Sequence, residues 1–353
     1  MAQITVSWEP KGRGRIVGLH RSRSDHKTWS LERLFCEVQT AGAMGFRGFQ
    51  LFGYYGCLPY TTPMSRDYLR NFMEIEDISL DRAELRSLMD DLGLRRNLHI
   101  HRPFFVRHML DEADDAEFED YQRQIVEGVQ FVQDIGSDLV SFHPPYMEPP
   151  QWWSTSRSYN HLVKYRRSFD TRTLERLKDR FAELIQACLD LTTGSRVRLA
   201  IESFPPPISV FDDADDLSQF VRRFGPRMGV MLDTGHWYTE HFDLRESILT
   251  FGDRLFDIHA KDGFRHAEEE GDEDWEALLE RETSFPIGDG DINWALVVET
   301  LKEIDYDGMM NLEVHGTAAS LIGSRLILER LIEGDDFFED YFHQPDQNTT
   351  PEG

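Results

Sequence analysis

Four mostly apolar runs in this sequence end in a side chain that can hold a metal ion. Gly229-Val230-Met231-Leu232 leads into Asp233, and Leu199-Ala200-Ile201 leads into Glu202. Leu255-Phe256-Asp257-Ile258 ends at His259, and Met309-Met310-Asn311-Leu312 ends at Glu313. Two more runs, Leu98-His99-Ile100 and Leu139-Val140-Ser141-Phe142, close on His101 and His143. An aspartate before Thr234-Gly235 is as well explained by capping of its own turn. A whole series of polar strand ends is not explained by packing, because a carboxylate buried alone is costly and wants a cation beside it. The series reads as a metal site. Two glutamates, an aspartate and one imidazole form a hard, oxygen-rich set, for which Mn2+ is the expected ion and Co2+, Mg2+ or Zn2+ also fit. His236, on the turn after Asp233, is expected to face the same pocket, and Arg265 is placed to reach a substrate oxygen.

Several of these runs show little polar alternation, which suits strands covered on both faces by helices. Arg15–His20 is the expected first strand, Gly45–Phe52 the second and Asn97–His101 the third. Helical patterns separate the runs. They cover Leu31–Ala43 with Ser30 as N-cap, Ser79–Gly93, Asp111–Asp134, Thr171–Leu191, Asp212–Phe224 and Asp243–Phe251. Asp291 is the expected N-cap of the helix that begins near Trp294, and a closing helix covers Ala318–Phe342. Strand–helix units in this order predict a single (β/α)8 barrel over residues 1–343 with a loose tail at 344–353. The C-terminal strand ends of such a barrel converge on one mouth, where its active site lies. Extended loops follow the second, fourth and seventh strands. The one at Tyr146–Phe169 is the most basic and aromatic, with Trp152, Trp153, Arg157, Lys164, Arg166 and Arg167, and is expected to act as a lid or clamp.

At 353 residues the chain suits one barrel with insertions. No apolar stretch is long enough to span a bilayer, and the N-terminus lacks the features of a signal peptide, so a cytoplasmic protein without membrane partners is expected. The three cysteines, Cys36, Cys57 and Cys188, are scattered and form neither a disulfide framework nor a thiolate site. A net charge of −26 disfavours nucleic acid as partner, since phosphate binding needs basic surface. Lysine is scarce, with only Lys11, Lys27, Lys164, Lys178, Lys261 and Lys302, and acid excess with few lysines fits a salt-rich cytoplasm. Composition leaves room for a homo-oligomer.

The segments Ile201-Glu202, Leu232-Asp233-Thr234-Gly235-His236, Ile258-His259-Ala260-Lys261-Asp262, Phe285-Pro286-Ile287-Gly288-Asp289-Gly290 and Asn311-Leu312-Glu313 together resemble the xylose-isomerase-like barrels. That family includes ketose 3-epimerases, hydroxypyruvate isomerase, inosose dehydratase and, more distantly, the endonuclease IV type of abasic-site nuclease. The resemblance implies Glu202, Asp233, His259 and Glu313 as metal ligands, with the two glutamates also acting as the acid/base pair. His236 and Arg265 would hold a small carbohydrate or polyol. The implied reaction is isomerisation or epimerisation of a sugar, sugar phosphate or hydroxy-ketone by proton transfer through a metal-stabilised enediolate. Dehydration of a keto-polyol at the same site is the alternative. Gln50 departs from the family, many of whose members carry glutamate there.

The nuclease branch shares the four ligands and adds a site that His101, His143 and Glu202 resemble. Its third-site Asp-x-His pair has no match, since Asp262 and Arg265-His266 do not fit it. Arg102 beside His101 opposes a second cation. One tightly held ion is therefore expected, with His101 and His143 hydrogen-bonding substrate. Elemental analysis of protein purified without chelator should find a single equivalent per chain. Two equivalents, falling to one in His143→Ala, would overturn that expectation.

Overall fold

The computed structural model describes residues 3–7, 31–52, 80–101, 104–110, 115–147, 159–204, 206–265, 284–314 and 317–334. Eight parallel strands close a barrel: β1 (Gln3–Ser7), β2 (Gly48–Phe52), β3 (Arg95–Ile100), β4 (Leu139–Phe142), β5 (Arg198–Glu202), β6 (Met228–Asp233), β7 (Leu255–Ala260) and β8 (Met309–Leu312). Each strand pairs with its neighbours in sequence, and β1 pairs with both β2 and β8. The first strand differs from expectation. It is Gln3–Ser7, whose Ile4-Thr5-Val6 supplies β-branched residues to the ladder, and Arg15–His20 lies outside the described residues.

Among the described residues a principal helix follows each strand: α1 (Leu31–Ala43), α2 (Arg82–Asp91), α3 (Asp115–Asp134), α4 (Thr171–Leu191), α5 (Ala214–Arg222), α6 (Leu244–Phe251), α7 (Trp294–Glu303) and α8 (Ala318–Glu333). Much of the acidic composition serves their starts. Asp81, Asp170, Asp213 and Asp243 each accept backbone N–H bonds at an N-terminus, where a carboxylate also meets the positive end of the helix dipole. The cap of α7 is Asn293, whose side chain accepts from Leu296 N at 3.0 Å, and not Asp291. Asp291 sits two residues too early to reach that amide. The expected loop at Tyr146–Phe169 contains a helix, Tyr159–Arg167, in which Arg166 pairs with Asp212. Ser30 and the tail at 344–353 lie outside the described residues.

Alternation along the strands splits the core. Leu199 and Ile201 of β5 pack outward with the helices, while Ala200 faces inward with Leu139, Met231 and Phe256 as a small apolar cluster. Phe256 is an extra residue on β7: Leu255 pairs with Val230 but Asp257 pairs with Met231. This bulge turns Asp257 and His259 into the barrel, and Gly229 makes room for it. A Cβ on Gly229 would lie 2.5 Å from the Phe256 ring. Gly229→Ala should therefore cost about 1–3 kcal/mol in denaturant unfolding, the usual range for overpacking a core.

Candidate active site

The mouth of the barrel is built from strand ends. Glu202 and Asp233 are the last residues of β5 and β6, His259 lies one before the end of β7, and Glu313 follows β8 directly. All four are buried, and one donor atom from each lies within 4.8 Å of the others. His259 Nδ1 stands 3.0 Å from Glu313 Oε2, 3.3 Å from Glu202 Oε1 and 3.7 Å from Asp233 Oδ2. It makes no hydrogen bond to any of them, and neither does Glu202 Oε2 make one. Converging buried donors that are not aligned on one another suit a cation between them. The residues present fit a divalent ion.

Asp233 does both things its sequence context allows. Oδ1 caps the following turn by accepting from His236 N at 2.9 Å, while Oδ2 faces the cluster. Lys261, two residues beyond His259, enters the same cavity. Its Nζ lies 2.8 Å from Asp233 Oδ2, 2.9 Å from Glu313 Oε2 and 2.8 Å from His236 Nε2. Burial disfavours the Lys261 ammonium, but Asp233 and Glu313 outweigh it and raise its pKa. The same competition holds His259 well above an ordinary histidine: burial lowers it, and Glu313 and Glu202 more than restore it. Glu202 is pushed up by burial and drawn well below the carboxylate range by His143 and His259. The cavity is a well of negative charge.

A second wall comes from β3 and β4. His143 Nε2 lies 2.9 Å from Glu202 Oε2 and 3.1 Å from His99 Nε2, and His99 Nε2 is 3.3 Å from Glu202 Oε2. The histidine of β3 that reaches Glu202 is thus His99 and not His101. Both face the interior, but two residues along a strand is a step of about 6.6 Å, which leaves His101 nearer the mouth. There its ring sits 5.0 Å from that of His143. Burial lowers the pKa of both His99 and His143. His99 Nδ1 bonds Ser141 Oγ at 3.0 Å, and His143 Nδ1 bonds the Tyr146 hydroxyl at 2.8 Å. Phe204 packs edge-on against His143 and His236 and completes an aromatic side to the pocket. Arg265 is exposed, with its guanidinium 4.8 Å from the Tyr238 ring centroid.

Beneath the cluster lies an amide layer. Asp257 accepts from Gln50 Nε2 at 3.2 Å, Asn97 Nδ2 at 2.6 Å and Asn311 Nδ2 at 2.9 Å. Burial pushes its pKa up to about 7. Gln50 Oε1 is 2.7 Å from His259 Nε2. Gln50, His99, Lys261 and Tyr146 carried no assigned role in the sequence reading. Counting in twos from His259 reaches Asp257 and Lys261, and counting back from His101 reaches His99, so strand parity held that signal.

The family model described as xylose isomerase-like TIM barrel matches residues 38–331. The chain belongs to that family. An uncharacterised protein of Methanocaldococcus jannaschii is 23% identical over 213 residues, spanning 59% of this chain and 61% of that protein. Among solved structures, an L-ribulose 3-epimerase superposes with a TM-score of 0.62 at 14% identity, covering 98% of this chain and 100% of the other. A 3-keto-D-glucoside 4-epimerase from E. coli gives 0.60 at 11% identity, covering 92% and 100%. At these identities the structural likeness establishes the barrel.

His236 makes the pocket sensitive to acid. Burial, foremost, lowers its pKa from 6.5 to about 4, against the pull of Asp233 and with Lys261 adding to the lowering. Its folded pKa lies below its unfolded one, so the unfolded chain takes up the extra proton first. The stability it contributes is complete above about pH 6.5 and is lost as pH falls toward 4, amounting to about 3 kcal/mol. Denaturant melts at about pH 7 and about pH 5 should therefore diverge less in His236→Gln than in the wild type.

Proposed function

We propose that this protein is a divalent-metal-dependent isomerase or epimerase of a small sugar or hydroxy-ketone. The observation that carries the reading is the placement of Glu202 and Glu313, on strands three places apart, against one imidazole nitrogen at 3.3 and 3.0 Å. Two carboxylates facing one buried point can serve one carbon from two sides.

Glu202, Asp233, His259 and Glu313 would hold the ion, with Mn2+ preferred by the donor set. When bound, it supplies electrophilic stabilisation of the negative charge that develops on substrate oxygens. The proton chemistry belongs to the chain. One glutamate oxygen removes the proton from the carbon beside the carbonyl, leaving its electron pair in an enediolate. The other glutamate returns a proton to the opposite face of that carbon in an epimerisation. In an isomerisation the proton goes to the former carbonyl carbon, while the proton of the neighbouring hydroxyl passes to the former carbonyl oxygen and that hydroxyl becomes the new carbonyl. His99 and His143 border Glu202 on that side, where His143 could exchange its bond to His99 or Tyr146 for one to a substrate hydroxyl, with His101 above them nearer the mouth. His236 and Lys261 border Asp233 and Glu313 on the other. Phe204, between His143 and His236, offers an apolar edge for the C–H face of a sugar. Arg265 would join the substrate site only by swinging in from Tyr238. Elimination of water from the same intermediate would make a dehydratase, which product analysis separates.

The His99–His143–Glu202 trio favours a second reading. Its donors also lie within 4.8 Å of one another, so two ions sharing Glu202 would give a hydrolase of the abasic-site type. A single equivalent of metal and no incision of an abasic oligonucleotide would exclude it. For the main reading, Glu202→Gln and Glu313→Gln should each slow exchange of substrate hydrogen with solvent deuterium by roughly 100-fold or more. Undiminished exchange in both variants refutes the acid/base assignment.

A further inference from the structure

The amide layer below the cluster does more than fill the barrel. Asp257 is ringed by side-chain amides, and Oδ2 alone accepts from Gln50, Asn97 and Asn311. Above its pKa of about 7 the Asp257 carboxylate only accepts, so it turns the NH2 end of Gln50 toward itself. The second contact of that NH2 group, with Met231 Sδ at 3.9 Å, is also with an acceptor. The carbonyl end of Gln50 must then face His259 Nε2, 2.7 Å away. A carbonyl also only accepts, so Nε2 must carry a proton. The lone pair of a neutral His259 is left on Nδ1, the atom aimed at Glu202, Asp233 and Glu313.

We propose that Gln50, oriented by Asp257, is the positioning residue that fixes the Nε2–H form of His259 and so presents Nδ1 as a metal ligand. This rests on the reading of His259 as a ligand. Outer hydrogen bonds to a ligating imidazole set its tautomer, hold its ring and raise its basicity, and their loss usually costs roughly 10–100-fold in metal affinity. The layer is well placed for such a role. Gln50, Asn97, Asp257 and Asn311 come from β2, β3, β7 and β8, so the orientation of one ligand is tied to half of the barrel. All four side chains are buried, which keeps water from substituting for the amide.

The test uses the full chain. Gln50→Met keeps length and volume but neither accepts from His259 nor donates to Asp257. Gln50→Glu, sharing one proton with Asp257, can still do both. Competition with a chelator should show Mn2+ held roughly 10–100-fold more weakly by Gln50→Met, with Gln50→Glu close to wild type. Proton–nitrogen correlation spectra of the Zn2+-loaded protein supply a second readout. A slowly exchanging His259 Nε2–H signal is expected in the wild type and in Gln50→Glu, and not in Gln50→Met. Should Gln50→Met fail to fold, Asp257→Asn replaces it: an amide at 257 lets Gln50 turn over, and the same loss of signal and affinity is expected. Wild-type affinity and an unchanged signal in the folded Met or Asn variant would overturn the positioning role. If the wild type itself binds no divalent ion, the functional reading fails instead.

Discussion

Three carboxylates, those of Glu202, Asp233 and Glu313, share one buried cavity with one ammonium among the described residues, that of Lys261, and the rest of the site follows from that imbalance. Each ion taken out of water costs several kcal/mol even after relaxation, and is tolerated only with close partners. Lys261 approaches Asp233 and Glu313, while Glu202 faces three imidazoles. Imidazoles are adjustable partners. A protonated His259 relieves the charge, and under the proposed reading the same Nδ1 would serve as a ligand once it gives up its proton. Three carboxylates against the Lys261 ammonium and one protonated imidazole leave the cavity short of positive charge.

A parallel barrel is a good frame for such a cost because every strand ends at the same mouth. The interior here is layered. Leu139, Ala200, Met231 and Phe256 form an apolar floor, the amides around Asp257 form a middle layer, and the titratable groups stand on top. Polarity rises toward the mouth in steps of two residues along each strand, the spacing that strand parity imposes. The Phe256 bulge sets the phase on β7. Without the extra residue, Asp257 and His259 would point into the helix layer, where Ile258 and Ala260 now pack.

That parity explains what the sequence disclosed and what it hid. The mouth residues Glu202, Asp233, His259 and Glu313 were visible because each breaks an apolar run, and a run that stops on a charged group is conspicuous by composition alone. His99 was hidden by His101, since two histidines of one parity on one strand cannot be ranked by depth without the register of the barrel. Gln50 and Lys261 were hidden for another reason: their importance lies in contacts across 209 and 52 residues of chain, with His259 and Glu313. Helix extents were read closely where an aspartate caps them, as in Thr171–Leu191 behind Asp170. The first strand was misplaced because Arg15–His20 and Gln3–Ser7 both offer β-branched residues before the first helix. Only closure of the barrel between β2 and β8 chooses between them.

The proton inventory of the His99–His143 pair bears on how many ions the mouth is built for. Ser141 Oγ donates to Leu98 O at 3.4 Å, so it accepts from His99 Nδ1–H and leaves His99 Nε2 bare. Two bare ring nitrogens would repel at 3.1 Å, so His143 Nε2 must carry the proton that lies between them. His143 Nδ1 is then an acceptor, and the Tyr146 hydroxyl, 2.8 Å away, donates to it. Every hydrogen-bonding atom of the two rings is satisfied by protein groups alone. A second ion would have to displace the shared proton together with the hydrogen bond it makes, whereas His259 Nδ1 makes no hydrogen bond and would give up only its own proton. The two donor groups around Glu202 are therefore not equivalent. In the trio both rings are satisfied by protein groups, whereas in the quartet Lys261 reaches Asp233 and Glu313 and His259 Nδ1 is left without a hydrogen bond.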